Sequence, residues 1–310
     1  MSQTFKQYLL LRGLSTSTSQ WYNMYLLDFI SWLDKENIST EQVSTPDIMS
    51  YLQYLKNKGQ ANVTRSSHLI AIKHYYDWQQ KINAIDHHPA KQIKIRGTQG
   101  KTLYPILTQA ELDQIYHNYP VNENEQLKNR NWYEHSQLSR QRNKVILGLM
   151  VWQGLTTAEV NNLTISDLKL NDATLCIAGT RKGQERALKL KSQQIMGLME
   201  YQFRIRPQLM KFHDSETINL FLTTPAIGKG QAADTHHIWK RLSQDVHALQ
   251  PNFINFQQVR ASVITHWLKK YNLREVQYMA GHKYASTTEG YIVNQVEDLQ
   301  QDIDKFHPIG

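Results

Sequence analysis

Cysteine is almost absent from this chain. Cys176 is the only one in 310 residues, so no disulfide can form within the molecule and a reducing compartment is the natural setting. It falls in the apolar run Thr174-Leu175-Cys176-Ile177-Ala178, where a buried, inert thiol is the expectation. Long apolar runs are missing as well. No stretch approaches the roughly 20 residues that span a bilayer, and the N-terminus has no apolar signal-peptide core. The expectation is a cytoplasmic protein with no membrane partner. Metal-ligand clusters are lacking: His87-His88 and His236-His237 are adjacent pairs joined by no cysteine or carboxylate group, so no metal site is expected. There is no internal repeat. Acidic residues are in deficit, 27 against 35 lysines and arginines, for a formal charge of +8. Such a surplus suits a polyanion, of which nucleic acid is the commonest.

What is present is enough apolar residue, 40%, for real cores, and a length that suits two domains. Residues 1–95 read as all-helical. The cluster Ser15 to Ser19 offers N-caps ahead of Trp21, Tyr25, Phe29 and Leu33, with Tyr22, Leu26 and Ile30 beside them. Thr45-Pro46-Asp47 starts a second helix through Ile48, Tyr51, Leu52 and Leu55, stopped by Gly59. A third begins near Asn62 and ends before Asn83, with Arg65 and Lys73 on its polar faces. The stretch 94–102 carries Lys94, Arg96 and Lys101 with two glycines, a composition that suits a linker tracking along phosphates. The expected division is a domain at 1–95, a linker at 96–104 and a second domain at 105–310.

The second domain opens at Thr108-Gln109-Ala110-Glu111, a capped helix start. The polar segment Asn122 to Gln137 reads as a surface insertion, with an apolar helix running from Arg142 to Gly154. Between Asp167 and Leu190 the period shortens, and short strands joined by Gly179-Thr180-Arg181-Lys182-Gly183 are expected. The remainder reads as helical, giving a mainly α fold with a small β-sheet. Beyond Tyr291, residues Ile292, Val296, Leu299, Ile303 and Phe306 recur at helical spacing, as in an amphipathic tail that docks on its own domain or on a neighbour.

Four side chains stand out as a set: Lys182, Arg260, His282 and Tyr291. A phenol can attack a phosphodiester, cations can neutralise the pentavalent phosphorane, and a proton donor can serve the leaving oxygen, all without a metal. The segment Gly281-His282, Ser286-Thr287-Thr288 and Tyr291, nine residues after the histidine, together with Gln257-Gln258-Val259-Arg260, resembles the tyrosine recombinase (phage integrase, Xer-like) family. The resemblance extends over almost the whole chain. It implies a helical, SAM-like core-binding domain that clamps one face of duplex DNA, followed by a tyrosine-recombinase catalytic domain. It further implies site-specific cutting and rejoining of DNA through a 3′-phosphotyrosine, with no cofactor. The partners it implies are double-stranded DNA and further protomers, up to a tetramer on DNA, alone or with a second recombinase. By the same resemblance Tyr291 is the nucleophile, Arg260 holds a non-bridging oxygen, His282 bonds the phosphate and assists proton movement, and Lys182 protonates the leaving 5′-oxygen. A one-residue slip would make Arg181 that donor. Arg65, Lys73, Lys94, Arg96, Lys101 and Arg181 are the candidate DNA contacts.

Two positions depart from the family pattern. Its first arginine follows Gly-Leu, whereas here Gly154-Leu155 is followed by Thr156. The residue three before Arg260 is Gln257 in place of a histidine. Threonine has neither the charge nor the reach to straddle a phosphate, and loss of one such donor costs roughly 10²–10³ in rate. Arg142 lies about 18 Å back along a helix axis, too far for local rescue. Two readings follow: a recombinase with a remodelled phosphate pocket, or a DNA-binding relative that cuts poorly and serves an active partner. A type IB topoisomerase shares the chemistry but not the N-terminal half.

Overall fold

The computed structural model describes residues 4–97, 103–122, 125–180, 183–225 and 235–292. The chain divides into two compact units, Met1–Thr102 and Leu103–Gly310. Lys101, Arg181, Lys182 and the tail positions Val296, Leu299, Ile303 and Phe306 lie outside the described residues.

The first unit is built from α1 (Phe5–Leu11), α2 (Thr16–Lys35), α3 (Thr45–Asn57) and α4 (Asn62–Lys81). Local chemistry sets the starts. Ser15 accepts from the Thr18 amide at the head of α2, and Asp47 reaches back to the Ser44 amide at the head of α3. The short α1 is a helix that periodicity over so few residues does not reveal; a Thr4–Gln7 capping box begins it. Helices α2 and α4 pack together, α1 lies against both, and α3 lies on α4. Their shared core includes Leu26, Phe29, Leu33, Ile48, Tyr51, Leu52, Leu69, Ile72 and Tyr76. On α2 the buried line runs through Ser19, Leu26, Phe29 and Leu33, so Trp21 falls to one side of it and is 54% exposed, contrary to the expected face.

The second unit contains α5 (Gln109–His117), α6 (Tyr133–Gln153), α7 (Thr157–Asn162), β1 (Leu168–Lys169), β2 (Thr174–Ile177), β3 (Arg186–Lys189), α8 (Ser192–Glu200), α9 (Arg206–Met210), α10 (His236–Leu249), α11 (Phe256–Leu268), α12 (Leu273–Ala280) and α13 (Ala285–Glu289). A π-helical turn, Tyr201–Ile205, joins α8 to α9. The three strands form one antiparallel sheet in the order β1-β2-β3, with Leu175 opposite Leu188 and Ile177 opposite Arg186. The architecture is mainly helical with a small sheet. Strand alternation puts Leu175 and Ile177 in the core and leaves Cys176 half-buried on the other face, which corrects the expected buried thiol.

Helix α6 is the spine of this unit, with α5, α8 and α11 against it. It begins nine residues earlier than its apolar pattern does, inside the Asn-rich segment, because its first turns have no apolar stripe to announce them. From Val145 to Gln153 every residue is buried. It ends at Gly154, whose φ of 60° is the left-handed conformation that stops a helix and that other residues adopt only under strain. Helix α11 is locked in place by a network at its head. Gln258 donates to the carbonyls of Pro105 and Asn252 and accepts from the Ile254 amide, while Ser262 accepts from the Leu107 amide.

Candidate active site

Three chain segments converge on Arg260, which projects from α11 with its side chain 12% exposed. Its guanidinium donates to the carbonyl of Gly154 at the end of α6, and Nη2 donates to the carbonyl of Ala280 at the end of α12, at 2.6 Å. Both are helix C-termini, whose unpaired carbonyls favour a cation. Nη2 also stands 3.4 Å from His282 Nε2.

His282 is placed by the end of α12. Gly281 takes φ 68° as the helix stops, its amide returns to the Tyr278 carbonyl, and the His282 amide returns to Gln277. The His282 ring is nearly buried. Its Nδ1 lies 2.9 Å from Oγ1 of the fully buried Thr288. Burial first, then the positive charges of Arg260 and Arg186, push the imidazole pKa down to about 4, with Glu159 opposing. The ring is therefore neutral near pH 7. The arrangement fits a proton on Nδ1, donated to Thr288, and a lone pair on Nε2 facing Arg260.

Tyr291 follows α13, and its ring stacks on His282 with centroids 5.7 Å apart and planes 9° apart. It packs beside Ile264, Val276 and Ala280. Burial first, then the charge of Arg186, lowers the Arg260 pKa, and Glu159 opposes this most. Arg260, His282 and Tyr291 thus occupy one site, brought together from α11, the end of α12 and the end of α13.

Thr156 is the N-cap of α7. Its amide and hydroxyl both donate to Glu159 Oε2, at 2.8 and 2.9 Å, and the Glu159 amide donates back to its Oγ1 at 3.2 Å. The hydroxyl is thus used in a reciprocal capping box. Gln257 is exposed, and its Oε1 accepts from the Tyr104 hydroxyl at 2.8 Å. Arg142 is buried in α6, where it donates to the Leu222 carbonyl at 2.7 Å and to Asn143; burial lowers its pKa to about 10.

Three site residues were given no role from sequence. Thr288 orients His282. Glu159 bridges two arginines, Arg186 Nη1 at 2.8 Å and Arg260 Nη1 at 3.6 Å. Burial works against its charge, but Arg186 above all, then Arg260 and the Thr156 amide, outweigh it and hold the carboxyl below its ordinary pKa. Arg186 opens β3 with its side chain 1% exposed, and its Nε donates to the Met279 carbonyl at 2.9 Å. The residues just before β3 meet the same corner: Gly183 pairs with His282, and the Gln184 amide donates to the Gly281 carbonyl. Two signals lay in the sequence. Thr156-x-x-Glu159 is the capping-box pattern, and Arg186 shares the inward register of Leu188.

In the first unit the candidate DNA cations divide. Arg65 donates to the Leu52 carbonyl and to Asn62, and Lys73 donates to the carbonyls of Lys91 and Ile93 at 3.2 and 2.7 Å. Both are half-buried, not simply displayed on polar faces as expected. Lys94 and Arg96 are exposed. Among the described residues no group of three or more His, Cys, Asp or Glu could hold a metal ion, and no helix there is long and apolar enough to cross a membrane.

Comparison with known proteins defines the class. A phage integrase N-terminal SAM-like domain matches residues 3–81, and the phage integrase family matches residues 106–298. The chain belongs to the phage integrase family, the tyrosine recombinases. Among its relatives is the tyrosine recombinase XerD of Oceanobacillus iheyensis, 27% identical over 301 residues, 96% of this chain and 94% of the relative. The fold is shared with the XerH site-specific recombinase bound to palindromic difH substrate in a post-cleavage complex. That likeness has a TM-score of 0.67 and 20% identity, covering 97% of this chain and 84% of the other. It is shared also with a lambda integrase tetramer bound to a Holliday junction, with a TM-score of 0.57 and 15% identity, covering 93% and 74%.

Proposed function

We propose that this chain is a site-specific DNA recombinase that cuts and rejoins duplex DNA through a phosphotyrosine at Tyr291. The observation that carries the reading is the stacking of Tyr291 on His282, whose other side meets the Arg260 guanidinium through Nε2 at 3.4 Å. In the reaction the Tyr291 oxygen attacks phosphorus, a tyrosyl–phosphorus bond forms, and the bond to the 5′-oxygen breaks. Lys182 gives its proton to that oxygen; if the turn aligns one residue earlier, Arg181 is the donor. Arg260 leaves its carbonyl acceptors to grip a non-bridging oxygen, because a planar fork and a full charge favour phosphate over neutral carbonyls. Gln257 cannot accept a proton, so the neutral His282 is the imidazole that assists the phenolic proton. Rejoining reverses these steps with another strand's 5′-hydroxyl, and no cofactor is consumed.

Duplex DNA is the partner, with protomers assembling on it up to a tetramer, alone or with a second recombinase. Lys94, Arg96, Lys101 and Arg181 are the cations we assign to phosphate contacts; Arg65 and Lys73 serve their own unit first. We divide the labour at residues 96–104, with DNA clamping before and catalysis after, and place the protein in the cytoplasm, where DNA and a reduced cysteine coexist. The occupied hydroxyl of Thr156 and the Tyr104-bound Gln257 favour a second reading, a relative that binds but cuts poorly.

The test is a nicked suicide substrate carrying the protein's own recombination site. A covalent protein–DNA adduct is expected with Tyr291 and none with Tyr291→Phe. Binding without any adduct would select the second reading. An adduct that persists in Tyr291→Phe would overturn the site.

A further inference from the structure

The unusual feature of this pocket is a carboxylate shared by two guanidiniums where an arginine is missing. Glu159 Oε2 already accepts twice from Thr156, and its Oε1 accepts from Arg186 at 2.8 Å. Arg260 is left at 3.6 Å, beyond a direct hydrogen bond. Arg186 itself is fixed on a second side by the Met279 carbonyl and fits against Gly281, where an added Cβ would lie 2.8 Å from its Cζ. Its Nη2 is buried without a hydrogen-bond partner among the described residues. A buried charged donor left unpaired is unfavourable, so packing alone is a poor account of an arginine here.

We propose that Arg186 is a positioning residue that engages Glu159, so that the carboxylate does not neutralise Arg260, and thereby supplies the positive charge that position 156 lacks. The inference rests on the recombinase reading. With Arg186, Arg260 and Glu159 together the local formal charge is +1 +1 −1, or +1. Without Arg186 it is zero, and the Glu159 carboxylate, whose Oε2 already lies 3.6 Å from Arg260 Nη1, has Arg260 as its one remaining guanidinium among the described residues. A paired Arg260 would have to break an ion pair of low solvent access before meeting a phosphate. Thr156 fits the scheme, because its capping box fixes the second carboxylate oxygen. The pocket therefore carries its second guanidinium on β3 rather than at the head of α7.

The test is a cycle of Arg186→Gln, Glu159→Gln and the double variant in the full-length protein, with Arg186→Lys as the charge-preserving control. Adduct formation on nicked DNA should fall at least tenfold in Arg186→Gln. It should recover most of that loss in the double variant, because the carboxylate that would capture Arg260 is gone. A group that touched DNA directly, or that only held the fold, would leave the double as slow as the single, and that result overturns the inference. The double variant replaces a buried ion pair with two neutral amides of similar size, so it remains foldable if a single does not. His282, titrated by NMR without DNA, gives a readout free of catalysis. Its pKa should rise in Arg186→Gln, stay near wild type in Arg186→Lys and return toward wild type in the double. An unmoved His282 in Arg186→Gln would also overturn the inference. A wild type that forms no adduct while His282 behaves as stated would remove the recombinase reading and leave the charge coupling standing.

Discussion

In the first unit Arg65 and Lys73 end on backbone carbonyls and an asparagine; in the second, Arg186 and Arg260 also end on carbonyls but share Glu159. The difference lies in what competes for each cation. A carbonyl is a neutral, fixed acceptor, so Lys73 is a strut holding the chain after α4, and burial lowers its pKa ahead of the lesser effect of Lys94. A shared carboxylate makes the charge of one arginine depend on the other, and an imidazole with a depressed pKa beside them reports the balance. Cations of the first kind hold structure, whereas those of the second kind depend on each other's charge through Glu159.

The comparison breaks most sharply at Gly281. In Gly281→Ala the left-handed φ of 68° costs about 1–2 kcal/mol. The new methyl would also overlap the Arg186 guanidinium, adding about 1–3 kcal/mol as overpacking does. A fall in thermal stability of the second unit together with loss of adduct is expected. An unchanged melting temperature would show that Arg186 does not sit against this glycine.

Lowering the pH sharpens it next. The folded pKa of His282, about 4, is below its ordinary 6.5, so between those values the unfolded chain binds a proton that the folded chain does not. The contribution is intact above pH 6.5 and is lost as the pH falls toward 4, at about 1.4 kcal/mol per unit. Urea unfolding at pH 7 and pH 5 should show wild type losing more stability than His282→Gln. Equal losses would mean that the imidazole is not held neutral.

The smallest effect separates strut from contact. Lys73→Met should cost about 1 kcal/mol in stability, the net worth of a typical hydrogen bond, and leave the salt dependence of DNA binding unchanged. Arg96→Met should do the reverse, reducing the slope of log affinity against log salt by about one. A slope that drops with Lys73→Met would return that lysine to the DNA surface.

Much of the architecture was legible because it is local. Ser15, Asp47 and Thr108 mark helix starts through bonds spanning three residues, and Gly59 and Gly154 mark stops through their own backbone freedom. Arg260, His282 and Tyr291 could be picked out as chemistry and by resemblance, and their side chains prove to be neighbours. The exposure of Trp21 and the early start of α6 were not legible, since one depends on how the buried stripe lies against α4 and the other on turns with no apolar pattern.

The sequence by itself determined the mainly helical class with a short strand region, the positive charge and the identities of phenol, imidazole and guanidinium. Only the tertiary structure decided who partners whom. Arg186 meets Glu159 on α7 and Met279 on α12, and Thr156 closes a cap instead of standing open to a phosphate. Periodicity and capping act within a few residues, whereas a buried charge takes whichever partner the packed chain brings within reach. The 26 positions between Glu159 and Arg186 carry no local signal of that choice.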